Sequence, residues 1–194
     1  MRKTLLLIAS ILALAVLGTA PAGAQTALPN PLVVVTTNQG KITLRLFRDK
    51  SPVTVENFLA YVDDGFYDGT IFHRVIPDFM IQGGGFLPDM TEKPTREPIV
   101  NESRNRLHNL RGTVAMARTS DPDSATAQFF INQRTNLKLD WTPGSEGYAV
   151  FGEVIGGMSV VDYITTAPVR QMGGMSDVPE EPVIIESIRR KSLL

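Results

Sequence analysis

The chain has 194 residues, with 19 basic and 20 acidic side chains and a net charge of −1, a balance that argues against nucleic acid or anionic lipid as a partner. It has no cysteine and only two histidines, His73 and His108, which excludes disulfides, thiol catalysis and most metal-site patterns.

Residues 1–24, MRKTLLLIASILALAVLGTAPAGA, join Arg2 and Lys3 to an uncharged apolar run from Leu5 to Leu17, followed by Ala22-Gly23-Ala24. This is the pattern of a cleaved secretory signal peptide, with cleavage expected before Gln25. The apolar run is shorter than the roughly 20 residues that a membrane-spanning helix needs. A periplasmic or secreted protein, with no membrane association after cleavage, is therefore expected. The remaining 170 residues are enough for one domain. Residues 25–31, QTALPNP, read as a linker to a single domain over 32–194.

LVVVTT (32–37) and KITLRLF (41–47) flank a short turn ending in Gly40, a hairpin signal. Ser51-Pro52 opens a helix, with serine as the N-cap. Val55, Phe58, Leu59 and Val62 form its apolar face, and Gly65 is its stop. Short strand-like runs follow at 70–76, 79–84, 112–117, 127–132 and 148–155, with a long loop over about 86–111. GMSVVDYI (157–164) predicts a second helix and PVIIESIRR (182–190) a closing strand. Many short strands and only two helices argue for a closed, mostly antiparallel barrel.

The candidate chemistry narrows by elimination. Gly83-Gly84-Gly85 fits neither nucleotide-binding glycine pattern, so tight turning or close backbone approach is the better reading. DPDSA (121–125) lacks the ligand series of a calcium loop. Asn101-Glu102-Ser103 is a glycosylation sequon that matters only in a eukaryotic host. No Gly-x-Ser-x-Gly elbow is present, neither histidine has an evident carboxylate partner, and no covalent nucleophile is indicated. His73 reads as a hydrogen-bonded structural histidine. In FHRVIPDFMIQGGG (72–85), strand alternation predicts Phe72 and Arg74 on one face and His73 and Val75 on the other, with Arg74 turned outward.

FHRVIPDFMIQGG, RGTVAMARTSDPDSATAQFFIN and GYAVFGEVIGGMSVVD, in that order, resemble the cyclophilin family of peptidyl-prolyl cis–trans isomerases, in particular its bacterial exported branch. The likeness runs from about Leu32 to Arg190. It implies an isomerase domain with a mainly β fold, a closed eight-stranded antiparallel barrel capped by two α-helices, and no cofactor or metal. On the outer face, the resemblance assigns Arg74, Phe79 and Gln82 as catalytic. It assigns Met80, Ala117, Arg118, Gln128, Phe130, Leu139 and Tyr148 to binding of proline-containing polypeptides. Gln82 is expected to orient Arg74.

Three positions depart from the family pattern. Arg118 stands where asparagine is common, so only its backbone role carries over. Lys138 stands where the best-known eukaryotic members have a tryptophan important for cyclosporin, and Trp141 lies three positions later. Tyr148 replaces a histidine. Weak cyclosporin binding with catalysis retained is expected, in a monomer assisting the folding of exported proteins. The alternative function is a peptide-binding or holdase module with little catalysis.

Overall fold

The computed structural model describes residues 30–191. The expected signal peptide at 1–24 and residues 25–29 of the 25–31 linker lie outside the described residues.

The predicted hairpin forms: β1 (Leu32–Thr37) pairs antiparallel with β2 (Gly40–Leu46). Ile42, Leu44 and Leu46 are all buried on one face, as their alternation requires. Helix α1 (Pro52–Asp63) buries Val55, Phe58, Leu59 and Val62. Gly65, in the left-handed region at φ 65°, turns the chain back. Ser51 does not cap this helix with its side chain, contrary to expectation. Its hydroxyl is buried and donates instead to the carbonyl of Val150 at 2.8 Å. Glu102, from the long loop, supplies the cap: its carboxylate accepts from the Thr54 amide at 2.8 Å and the Val53 amide at 3.2 Å.

The remaining strands are β3 (Arg74–Ile76), β4 (Met80–Gly83), β5 (Thr113–Met116), β6 (Phe129–Asn132), β7 (Val150–Gly156), β8 (Val169–Met172), β9 (Met175–Pro179) and β10 (Ile185–Arg190). Helix α2 (Met158–Ile164) follows β7. Eight strands make one antiparallel sheet in the order β10-β1-β2-β7-β5-β6-β4-β3.

The sheet is open, a half-barrel rather than the closed barrel expected. No ladder joins its edge strands, β10 and β3; the chain just upstream of β3 is tied to the start of β10 by the bridge between Ile71 and Ile184 and by backbone bonds from Gly69 to Ile185, Ile185 to Thr70 and Phe72 to Val183. Beyond that bridge β3 lies against β9 instead, so no ladder completes the circle. The β8–β9 hairpin was not anticipated. It turns on Gly173-Gly174, both at positive φ (59° and 78°), between paired Met172 and Met175.

Both faces of the sheet carry apolar residues. The inner face holds the main core, including Phe58, Phe72, Val75, Ile81, Phe129, Ile131 and Phe151. A smaller cluster of Met80, Ala115, Ala117, Phe130 and Val150 covers the outer face. Adjacent residues Phe129 and Phe130 thus serve opposite faces, as strand alternation dictates.

Candidate active site

Strand register builds the site. Arg74 of β3 lies opposite Gln82 of β4, Gln82 opposite Phe130 of β6, Phe130 opposite Ala115 of β5, and Ala115 opposite Val150 of β7. Directly opposed residues share a face, so this is one row across the outer surface. The row beside it toward the core, Val75, Ile81, Ile131 and Val114, points inward and is fully buried.

At the head of β3 the predicted alternation fails. Phe72 and Val75 both enter the core, whereas His73 and Arg74 both line the outer cavity. Regular strand geometry begins only at Arg74, so the residues before it follow no two-residue period.

All ten residues assigned from the sequence line one cavity of about 610 Å³. Met80 and Phe130 are buried in its floor, while Phe79, Leu139 and Tyr148 are partly exposed at its walls. Tyr148 meets Phe130 edge to face, with ring centres 5.6 Å apart. Arg118 lies over the Tyr148 ring at 4.6 Å, and its guanidinium donates to the carbonyl of Gly147 at 3.0 Å.

Gln82 does not hold Arg74 as expected. Its amide donates to the side-chain oxygen of Gln128 at 3.0 Å. Arg74 enters no ion pair among the described residues. Its charge faces the cavity with no carboxylate within ion-pair distance among the described residues.

The triple glycine sits where the chain crowds itself, as the close-approach reading required. A β-carbon at Gly83 would lie 2.7 Å from the carbonyl oxygen of Ile71, and one at Gly85 would lie 2.6 Å from Cγ of Gln128.

His73 is 2% exposed and meets the Phe86 ring at 4.7 Å. Burial, assisted by the charge of Arg74, lowers its pKa to about 4, so it is neutral at physiological pH. Its Nδ1 has no hydrogen-bond partner among the described residues, and a backbone hydrogen bond with Ile71 partly opposes the fall in its pKa. His108 does have a carboxylate partner, Asp140, at 2.7 Å, which a separation of 32 positions concealed in the sequence.

Sequence reasoning missed one end of the cavity, formed by Phe86, Glu92 and Gly174–Ser176 at the tip of the β8–β9 hairpin. The Gly173-Gly174 pair was the available signal. Lys138 lies over the Phe79 ring at 5.1 Å, whereas Trp141 is absent from the cavity lining and stacks under Arg104 at 5.0 Å. Among the described residues no cluster of His, Asp or Glu is placed to hold a metal ion, and no helix is long and apolar enough to cross a membrane.

The fold is an open β half-barrel with an apolar pocket on its outer face, and Arg74 and Arg118, neither of them in an ion pair among the described residues, line that pocket. Residues 32–190 match the family model for cyclophilin type peptidyl-prolyl cis-trans isomerases, and the chain belongs to that family. It is 54% identical over 167 residues to a peptidyl-prolyl cis-trans isomerase of Acinetobacter baylyi, covering 86% of this chain and 89% of that protein. It is 55% identical to peptidyl-prolyl cis-trans isomerase B of Escherichia coli, covering 81% and 98% of the two. A solved cyclophilin-type isomerase of Cryptosporidium parvum superposes with a TM-score of 0.74 at 29% identity, covering 85% of this chain and 99% of that one. The same parasite protein solved in the presence of the dipeptide Ala-Pro gives a TM-score of 0.72. The activity is peptidyl-prolyl cis–trans isomerisation.

Proposed function

We propose that Arg74 is the catalytic donor of this isomerase and that the cavity row beside it is its proline site. The observation that carries this is the continuous outer-face row Arg74, Gln82, Phe130, Ala115. Rotation about an amide C–N bond is opposed by roughly 18–20 kcal/mol because the nitrogen lone pair is delocalised into the carbonyl. On twisting, the prolyl nitrogen regains that lone pair and becomes a hydrogen-bond acceptor. A fixed guanidinium donates to it in the twisted state and contributes little to either planar state, which is how a catalyst lowers a barrier. Arginine stays charged and offers several donors in a rigid fork.

Met80, Phe130, Phe79 and Leu139 hold the pyrrolidine ring while the acyl side swings. Gln82 and Gln128, already bonded to each other, present a fixed polar edge. The Ala117 amide is committed to the Gln128 carbonyl at 2.9 Å, so the Ala117 carbonyl and the Arg118 amide serve the peptide backbone. Tyr148 closes the far wall.

The reading extends to location. The leader at 1–24 supports an exported, periplasmic or secreted monomer of the bacterial branch, with 25–31 as linker and 32–194 as the isomerase domain. Its clients are then exported polypeptides.

One experiment tests the site. Exchange of a short Xaa-Pro peptide is measured by NMR with wild type and with Arg74→Ala. Loss of an interaction of about 3–4 kcal/mol lowers the rate by roughly two to three decades. Near-normal exchange by the variant would falsify the arginine assignment, and peptide binding without acceleration by the wild type would favour a holdase.

A further inference from the structure

Behind the cavity wall lies a line of buried polar side chains that the reaction itself does not require. Asn109 and Asn132 are 0% exposed, Asn136 is 6% exposed and Asp140 is 8% exposed. Buried amides are costly unless fully bonded, and these are bonded to one another. Asn109 donates its side-chain amide to Asp140 Oδ1 at 3.0 Å, alongside its own backbone amide at 2.7 Å. Asn132 donates to Asn109 Oδ1 at 3.1 Å and to the Thr113 hydroxyl at 3.0 Å. Asn136 donates to Asn132 Oδ1 at 2.8 Å and to the backbone carbonyl of Phe79 at 3.0 Å.

The line has a direction. An ionised carboxylate only accepts, so Asn109 must turn its NH2 toward Asp140 and its oxygen toward Asn132. That oxygen takes one N–H of Asn132, whose own oxygen then takes one N–H of Asn136. The second N–H of Asn136 is left for Phe79. A charge at one end thus fixes three amide orientations and delivers one donor to the carbonyl of a pocket residue.

The same segment carries two further walls. The Leu139 amide donates to the Asn136 carbonyl at 2.9 Å, and the Tyr148 amide donates to the Leu139 carbonyl at 2.9 Å. The Phe79 carbonyl also accepts from the Gln133 amide at 2.9 Å. Phe79, Leu139 and Tyr148 therefore all take their backbone placement from the stretch that Asn136 anchors.

We propose that Asp140, Asn109, Asn132 and Asn136 form a directional hydrogen-bond relay that positions Phe79 and Leu139, with Asn136 as its positioning residue. This rests on the assignment of those two side chains to the proline pocket. A pocket that grips the ring equally in planar and twisted states contributes uniform binding, so loosening it raises KM and leaves kcat nearly unchanged.

The test compares Asn136→Ala, Phe79→Ala and the double variant in Xaa-Pro exchange, with thermal unfolding followed in parallel. Asn136→Ala is expected to raise KM by about tenfold with kcat within about twofold. The double variant is expected to fall short of the product of the two single effects, because Asn136 acts partly through Phe79 and coupled residues are not additive. Full additivity, or a fall in kcat at constant KM, overturns the relay. An unchanged KM in Phe79→Ala itself instead overturns the pocket assignment. Should Asn136→Ala not fold, Asp140→Asn, which keeps the shape but removes the charge that sets the direction, is expected to raise KM by about threefold. An unchanged KM in that variant overturns the proposal equally.

Discussion

Gly85 and Gln128 stand so close that a methyl group on the glycine would lie 2.6 Å from Cγ and 2.7 Å from Nε2 of the glutamine. A long side chain can swing away from such a clash at little cost, but Gln128 would then abandon its bond to Gln82. Gly85→Ala is therefore expected to change stability by only about 1 kcal/mol. Its catalytic efficiency on an Xaa-Pro peptide is expected to fall by about tenfold. Normal exchange rates in a folded variant would show that the glutamine pair has no part in the site.

His73 makes stability depend on pH in a calculable direction. Its pKa is about 4 when folded, against 6.5 for the unperturbed group, because burial disfavours the charged ring. The unfolded chain thus binds the proton more readily. The contribution is fully present above about pH 6.5 and is lost as pH falls toward about 4, amounting to about 3 kcal/mol. Asp140 acts in the same direction but at lower pH: burial raises its pKa, but hydrogen bonds from Asn109 and His108 outweigh this and hold it below 3.8, so its share is lost only below that value. Denaturant melts of wild type and His73→Leu across this window separate the two. The variant is expected to show the shallower fall, and parallel curves would refute the histidine's share.

Glu102 caps α1 from the other side of the long loop, 48 residues from Thr54, whose hydroxyl also donates to it at 2.7 Å. Replacing it with alanine leaves the Val53 and Thr54 amides without that partner and is expected to cost about 1–2 kcal/mol. Thermal unfolding measures this, while peptide exchange at 25 °C is expected to stay at the wild-type rate.

Lys138 occupies the rim above Phe79, and Trp141 stacks under Arg104 away from the cavity. Cyclosporin is accordingly expected to bind weakly, with nanomolar inhibition of wild type counting against this. Lys138→Trp is expected to tighten binding by about tenfold, since a stacked aromatic ring contributes about 1 kcal/mol beyond its buried area. Titration calorimetry on both forms decides the matter.

Much of this was legible in the chain because period-2 alternation marks the strands that bury one face. Ile42, Leu44 and Leu46 announced β2, and the helical spacing of Val55, Phe58, Leu59 and Val62 announced α1. The site followed from motif order, and every residue assigned to it lines the same cavity. What stayed hidden depends on contacts between distant segments. The Glu102 cap and the His108–Asp140 pair join residues 48 and 32 apart. β8 buries no side chain and β9 buries only the adjacent Val178 and Pro179, so the hairpin lacks alternation, leaving only Gly173-Gly174 to mark it. Whether a sheet closes is decided by where its two edges point, and Arg74–Ile76 is too short to show that locally.

The opposed side chains of Phe129 and Phe130 limit how the groove can diversify. Inserting or deleting one residue in β6 would send the groove phenylalanine into the interior and the interior one into the groove, together with every neighbour in both rows. Such a change destroys the scaffold before it alters specificity. Replacing Phe130 alone reshapes the groove and leaves the interior packing of Phe129 intact. New ligand preferences in this architecture must therefore arise by exchanging residues in place on the strands, with changes of length confined to the surrounding loops.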